Sequence, residues 1–396
     1  MSRRNGAERA YDIVLFGATG FVGQLTAEYL AAHAPAECRW ALAGRTPAKL
    51  EQLRERLTAI NPACAKLPLL RADSSEPDSL RELAESTRVV ATTVGPYILY
   101  GEGLVAACAE AGTDYADLSG EPEFADRMYL GYDARARETG ARIVHACGFD
   151  SIPHDLGVYF TVQQLPDDVP LRIDGFVRSN AMFSGGTFAS ALTAFGRSRQ
   201  TLQAAKERRL HEPRLVGRRA RAPLSAPRRS RETGTWALPL ATIDAQVVAR
   251  SAAALARYGP DFRYRHYAAV KRLPVAAGGT VAAGALFALA QLPAARAWLM
   301  SKYAAGSGPD EERRARSWFT VRFVGEGGGR RVFTEVSGGD PGYGETAKML
   351  AESVLCLAFD TLPPTSGQVT TAVAMGDALL ERLQAVGIGF RVAAVR

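Results

Sequence analysis

Residues 11–16 read YDIVLF, an apolar run of strand length, and the next seven, GATGFVG, are rich in glycine. A helical pattern follows, with Phe21, Leu25 and Leu30 on its apolar side, fading near Pro35. The alternation repeats. RWALAGR (39–45), LPLLRADSS (67–75), VVATTVGPYILYG (89–101), TDYADLSGE (113–121) and the start of ARIVHACGFDSIPHDLG (141–157) predict further strands. Helices are expected from LVAACAEAG and from about Ala125 to Gly140. Short apolar runs that each end in glycine or a polar cluster and then give way to a helix predict an α/β fold with a doubly wound parallel sheet.

The pattern changes after residue 150. VPLRIDGFVRSNAMF (169–183) alternates as a strand does, and SGGTFASALTAF opens a helix. SWFTVRFVGEGGGRRVFTEVSG (317–338) predicts a hairpin whose strands are joined by Gly325 to Gly329, and a helix begins near Gly344. Such grouping predicts an α+β domain, its antiparallel or mixed sheet covered by helices on one face. The expected division is a disordered lead-in at 1–10, a first domain at 11–150, a second at 151–365, and a closing segment at 366–396.

The first glycine turn has the form a dinucleotide requires. Gly17 allows a sharp turn after the strand, Gly20 clears room for pyrophosphate, and Gly23 permits close helix packing. The helix start supplies free N–H groups and partial positive charge, so residues 17–23 (Gly17, Ala18, Thr19, Gly20, Phe21, Val22, Gly23) are the expected phosphate cradle of a Rossmann-type domain. The second strand ends in Gly44-Arg45-Thr46, with no carboxylate until Glu51. An acid there would bind the ribose hydroxyls of NAD, whereas Arg45 suits a 2′-phosphate, so NADP is the expected cofactor. Asp73 with Ser74 at the third strand tip suits the adenine edge. Thr93, Gly95 and Pro96 lie where the fourth strand meets the ligand edge of such a sheet.

Charge and composition narrow the partners. The net charge is +7, yet residues 206–231 hold ten basic and two acidic residues, an excess of 10 − 2 = +8 that leaves the remainder near neutrality. With Pro213, Pro223 and Pro227 the stretch reads as a solvated loop, or as a landing site for an acidic carrier protein or an anionic membrane surface. It lacks interleaved aromatic residues, which disfavours nucleic acid. Residues 273–295 are 23 uncharged residues rich in alanine and glycine. Buried helix, lipid-facing element and membrane span all remain open for them. Five cysteines without CxxC spacing indicate neither a zinc site nor a disulfide framework, so no metal is expected. No secretory signal precedes Asp12, and the expected location is cytoplasmic, with peripheral contact at the inner face of the plasma membrane as an extension. Tyr267 and Lys271 match a YxxxK spacing but lie over a hundred residues beyond where a short-chain dehydrogenase would place it.

The segments GATGFVGQLTAEYL, LAGR, TTVGPYILYGEGLVAACAEAGTDYADLSGE, HACGFDSIPHDLG and TAVAMGDALLERLQAVGIGF (371–390) resemble the saccharopine dehydrogenase-like oxidoreductases, most of all the actinobacterial trans-acting enoyl reductases. The resemblance is dense over 11–160 and returns near the end. It implies an NADP-binding domain, a substrate and dimerisation domain consistent with a homodimer, and a last segment packing back on the first domain. It also implies reduction of an enoyl double bond on a lipid-like or carrier-bound acyl chain. Two other functions stay open: a nucleotide-binding, lipid-associated protein with little catalysis, and saccharopine-type imine chemistry. Enoyl reduction needs a hydride, a proton and stabilisation of a developing oxyanion. Tyr97, Asp150 and His154 are the candidate catalytic residues, with Tyr100 and Ser151 close by in sequence. Each also has a plain reading: Tyr97 as a pocket wall, Asp150 and Ser151 as caps of the next helix.

Overall fold

The computed structural model describes residues 9–181, 192–292, 294–295, 298–299 and 310–396. Six strands arise in the first part of the chain: β1 (Tyr11–Phe16), β2 (Trp40–Gly44), β3 (Leu69–Arg71), β4 (Thr87–Thr92), β5 (Asp114–Asp117) and β6 (Arg142–Val144). All pair in parallel in the order β6-β5-β4-β1-β2-β3. The central strands are buried on both faces, which explains their unbroken apolar runs. Ile13, Leu15 and Leu42 face one core, beside helices Phe21–His33 and Gly344–Phe359. Val14, Phe16 and Ala41 face the other, beside helices Pro77–Ser86, Glu102–Ala111 and Pro122–Thr139.

The second sheet is mixed. Its strands are β7 (Leu171–Ser179), β8 (Arg219–Arg221), β9 (Arg228–Arg229), β10 (Trp236–Pro239), β11 (Asp261–Val270), β12 (Phe319–Gly327) and β13 (Arg330–Gly338). β7 pairs in parallel with β11 and antiparallel with β12. The hairpin turn is tighter than expected, because strand pairing continues through Gly327 and only Gly328 and Gly329 turn, both with positive φ. Helix Ile152–Val162 lies against this sheet so closely that a Cβ on Gly157 would meet Phe323 at 2.4 Å. The helix expected from Ser184 falls largely outside the described residues.

Four expectations need correction. Residues 97–100 form a helical turn rather than the end of β4. Arg9, in the expected disordered lead-in, is held by the carbonyls of Ala84 and Ala111. The basic stretch 206–231 is not a loop: its start belongs to helix Ser198–His211, and β8 and β9 take part of the rest. Many of its arginines are engaged. Arg208 is buried against Asp126 and Gln368, Arg221 meets Asp261, and Arg228 meets Asp174. Finally, of residues 366–396, β14 (Gly367–Val369) joins the first sheet beside β6, whereas β15 (Gly389–Val395) pairs with β13 and so belongs to the second.

Candidate active site

The glycine turn leads directly from β1 into helix Phe21–His33. Gly17 has φ +83°, and a Cβ there would meet Val94 Cγ2 at 2.7 Å. A Cβ on Gly23 would approach the Gly17 carbonyl oxygen to 2.2 Å, so this glycine is required by the turn itself. Ala18 is buried, whereas Thr19, Phe21 and Val22 are partly exposed and Gly20 exposed. The helix has no side-chain cap and no acid in its first turn, and its first internal bond is donated by the Gln24 N–H to Gly20. The amides of Phe21, Val22 and Gly23 thus precede the helical ladder, an arrangement that fits a pyrophosphate. Thr93 braces the turn by donating its hydroxyl to the Gly17 carbonyl, 3.0 Å. Gly95 is exposed and Pro96 partly so, beyond β4 on the same edge. Arg45 is exposed at the end of β2. Across from it Asp73 is held below its ordinary carboxyl value, first by the Ser75 backbone N–H, then by the Ser75 hydroxyl, with Arg45 contributing; Ser74 lies between Asp73 and Ser75. The residues present fit NADP.

Tyr97 is not in the cleft. Its ring is buried with Phe124 in the outer core; its hydroxyl donates to the Thr92 carbonyl and accepts from the Leu118 N–H, both 3.1 Å. Burial lifts its pKa well above the ordinary tyrosine value, with the Asp117 carboxylate adding to the rise. A phenol whose one proton is committed to the backbone between two strands is a structural tie, which corrects its catalytic assignment. Glu121 lies nearby and accepts from the N–H groups of Tyr97 and Ile98, at 3.0 and 2.9 Å. Tyr100 is exposed.

Asp150 and His154 come together with two residues that the sequence did not single out. Asp150 lies over Gly120, whose added Cβ would come within 3.0 Å of Asp150 Oδ2, at the carboxyl end of β5. Ser151 donates to the Asp150 carbonyl, and helix Ile152–Val162 begins there. His154 Nδ1 stands 3.0 Å from Asp244 Oδ1, and His266 Nε2 stands 3.5 Å from Asp244 Oδ2. All three are buried, and the imidazole rings meet edge to face at 4.8 Å. Phe149 closes one side against His154 and Phe319. The pairing is enforced from behind. Buried Asp155 accepts from the Ser251 hydroxyl (2.5 Å), the Thr371 hydroxyl (2.7 Å) and the Ala372 N–H (2.9 Å), locking the helix of His154 to helix Ile243–Ala254, which carries Asp244.

Electrostatics separate the roles. Burial pushes the Asp150 carboxyl up to about 7; the Asp244 carboxylate adds to this and His154 opposes it. Burial also acts to raise Asp244, but His154 and then His266 hold it below the ordinary carboxylate range. His266 is driven down to about 3 by burial, with His154 adding to the fall, so it is neutral near pH 7. Its Nδ1 lies 2.8 Å from the Tyr264 hydroxyl. The result is an ionised acid between two imidazoles and a second carboxyl poised to exchange a proton near neutrality. Ligand atoms of His154, Asp244 and His266 lie within 4.8 Å of one another, a spacing that would also admit a metal ion. Asp244 and His266 carry no local motif, since 90 residues or more separate them from His154 and only the fold joins them. Tyr267 of the YxxxK match is stacked on Phe176 in a separate small core of the second sheet.

Residues 13–144 match the saccharopine dehydrogenase NADP binding domain. A Mycobacterium ulcerans trans-acting enoyl reductase is 36% identical, covering 97% of this chain and 98% of its own. A Mycobacterium tuberculosis trans-acting enoyl reductase is 37% identical, covering 96% and 97%. The chain belongs to the saccharopine dehydrogenase-like oxidoreductases. Within them its near-full-length relatives place it in the trans-acting enoyl reductase branch, and it is an NADP-dependent oxidoreductase. Saccharopine dehydrogenase (L-Glu forming) of Saccharomyces cerevisiae shares the fold, with a TM-score of 0.57, 12% identity, and coverage of 97% of this chain and 100% of that one.

Proposed function

We propose that this chain is an NADPH-dependent trans-acting enoyl reductase, saturating a carbon–carbon double bond in a lipid- or polyketide-derived acyl chain assembled by another protein. The observation that carries this reading is 36–37% identity over nearly the full length of proteins of that name. The reaction adds a hydride to the β-carbon and a proton to the α-carbon of an α,β-unsaturated acyl group. Bound NADPH supplies the hydride. What remains for the chain is to hold the cofactor at residues 17–23 and to deliver the proton. Asp150 supports the second role: its carboxyl holds a proton up to about pH 7 and lies over Gly120 at the ligand edge of the sheet. His154, its Nδ1 3.0 Å from Asp244 Oδ1, is the second candidate for the proton. The test is NADPH oxidation with trans-2-enoyl thioesters of increasing chain length, with the product checked for a gain of two hydrogens. Absence of turnover at every chain length, with NADPH binding intact, would overturn the reading. Turnover of amino-acid and keto-acid pairs alone would return the chain to saccharopine-type chemistry.

A further inference from the structure

The helix Leu273–Ala290 contains no charged residue, and among its described side chains only Ala290 is buried. Leu273, Val275, Val281, Phe287 and Leu289 are between 43% and 73% exposed. At 100° per residue they fall at about 0°, 200°, 80°, 320° and 160° around the axis, so no polar side is left to face water. A protein partner covers one stripe of such a helix, whereas a lipid surface into which it sinks covers every side that the protein body leaves open. Eighteen residues span about 27 Å, close to the ~30 Å of a hydrocarbon core. Both ends, however, stay on the protein body. The start packs on β10 and β11; near the end Phe287 meets Phe195, whose carbonyl accepts from Gln291. A helix tied at both ends lies along a membrane rather than crossing it.

The foot of the helix has the charge and the aromatic residues of an interface. Strand register sets Arg229, Trp236 and Val270 in one row, and Lys271 and Arg272 follow Val270 directly into the helix. At the same end of the sheet, Trp318 is 37% exposed beneath the Arg178 guanidinium. Arg229, Arg231, Lys271 and Arg272 are exposed and form no ion pair among the described residues. Cations and indoles ringing the base of an apolar element match anionic headgroups above acyl chains. Beside its far end, Thr193, Ala194 and Arg197 next to Phe195 border Ile98, Glu121 and Glu123 of the first domain.

We propose that Leu273–Ala290 is a monotopic attachment element, sunk into an anionic lipid surface with the basic and tryptophan-bearing foot on the headgroups. The docking does not depend on the enoyl reductase reading. In the test, full-length protein is floated with phosphatidylcholine vesicles and with vesicles containing one quarter phosphatidylglycerol, at low and high salt. Flotation with the anionic vesicles, weakened by salt, is expected, because exposed charges are screened within about 10 Å at 0.1 M. Val281→Asp with Leu289→Asp should cut partitioning by about tenfold or more while NADPH affinity is unchanged. Independently of any variant, chain-brominated lipids should quench the wild-type tryptophan emission. The proposal is overturned by wild-type protein that does not float, by a double variant that floats as well as wild type, or by an NADPH-binding dimer that the double variant splits without lipid affinity. Capture by an acidic acyl carrier protein with no affinity for vesicles would also overturn it and assign the basic foot to that partner.

Discussion

Arg45 is exposed at the end of β2 with no ion pair among the described residues, where a 2′-phosphate is expected to find it. Arg45→Ala should weaken NADPH binding by about 1.5–3 kcal/mol and hardly alter NADH binding. Titration of both cofactors against both proteins checks this, and equal losses would remove the phosphate role. Tyr97 was legible as a residue beside the ligand edge but not as a buried tie, because nothing in GPYILYG reports that Thr92 and Leu118 take its hydroxyl. Tyr97→Phe should therefore leave turnover nearly unchanged and lower stability by about 1 kcal/mol in denaturant unfolding. Asp150 carries the sharper expectation. As a proton donor with its pKa raised to about 7, it should give a rate that falls as pH rises through 7. Asp150→Asn should lower turnover by about 10²–10⁴-fold and flatten that limb. Stability provides a second readout. The folded state holds this proton more tightly than the unfolded one, so Asp150 lowers stability progressively from about pH 4 to pH 7. Asp150→Asn should then be more stable than wild type at pH 8 and show less benefit near pH 4.

Among the elements, those with local causes were readable and those fixed by partners were not. The strand–glycine–helix unit at 11–33 was readable because each glycine answers a backbone requirement within a few residues. It also separates two effects. Gly23→Ala forces a methyl onto the Gly17 carbonyl and should lower the melting temperature even without cofactor, at an overpacking cost of about 1–3 kcal/mol. The nearest atom to an added Cβ on Gly20 is the same oxygen, but at 3.3 Å, so Gly20→Ala should keep its melting temperature and lose NADPH affinity. Thermal scans of the apo proteins beside NADPH titrations check both. The stretch 206–231 misled because charge density resembles a solvated loop, yet its arginines find Asp126, Asp174 and Asp261 on distant elements. β15 misled for a related reason. The closing segment was expected on the first domain, but which sheet edge accepts Gly389–Val395 depends on the exposed flank of β13. The His154–Asp244–His266 cluster is the extreme case, assembled from two helices and a strand with no sequence signal of its own.

At the scale of the whole molecule the two sheets are joined through one core and one excursion of the chain. Ile13, Leu15 and Val89 of the first sheet belong to the same continuous cluster as Ile173, Phe262, Val321 and Val336 of the second, with Leu350 and Val354 of helix Gly344–Phe359 within it. After the β12–β13 hairpin the chain crosses to lay that helix on β1, β4 and β5, adds β14 to the first sheet, and crosses back to place β15 beside β13. Loss of the C-terminal segment would bare an edge of both sheets, β6 in the first and β13 in the second. Unfolding should accordingly be one transition, with far-UV circular dichroism and tryptophan fluorescence giving coincident urea curves. NADPH is expected to bind the first domain, at its glycine turn and strand ends, yet at one hundred times its dissociation constant it should shift both curves together by about 2.7 kcal/mol. Two separated transitions, with only the first moved by NADPH, would mean that the shared core does not couple the sheets. In that event the alignment of Asp150 with the cofactor edge would depend on the loop at 145–151 alone, and Asp155→Asn, which weakens the clamp between the helices of His154 and Asp244, would leave turnover unaffected instead of lowering it.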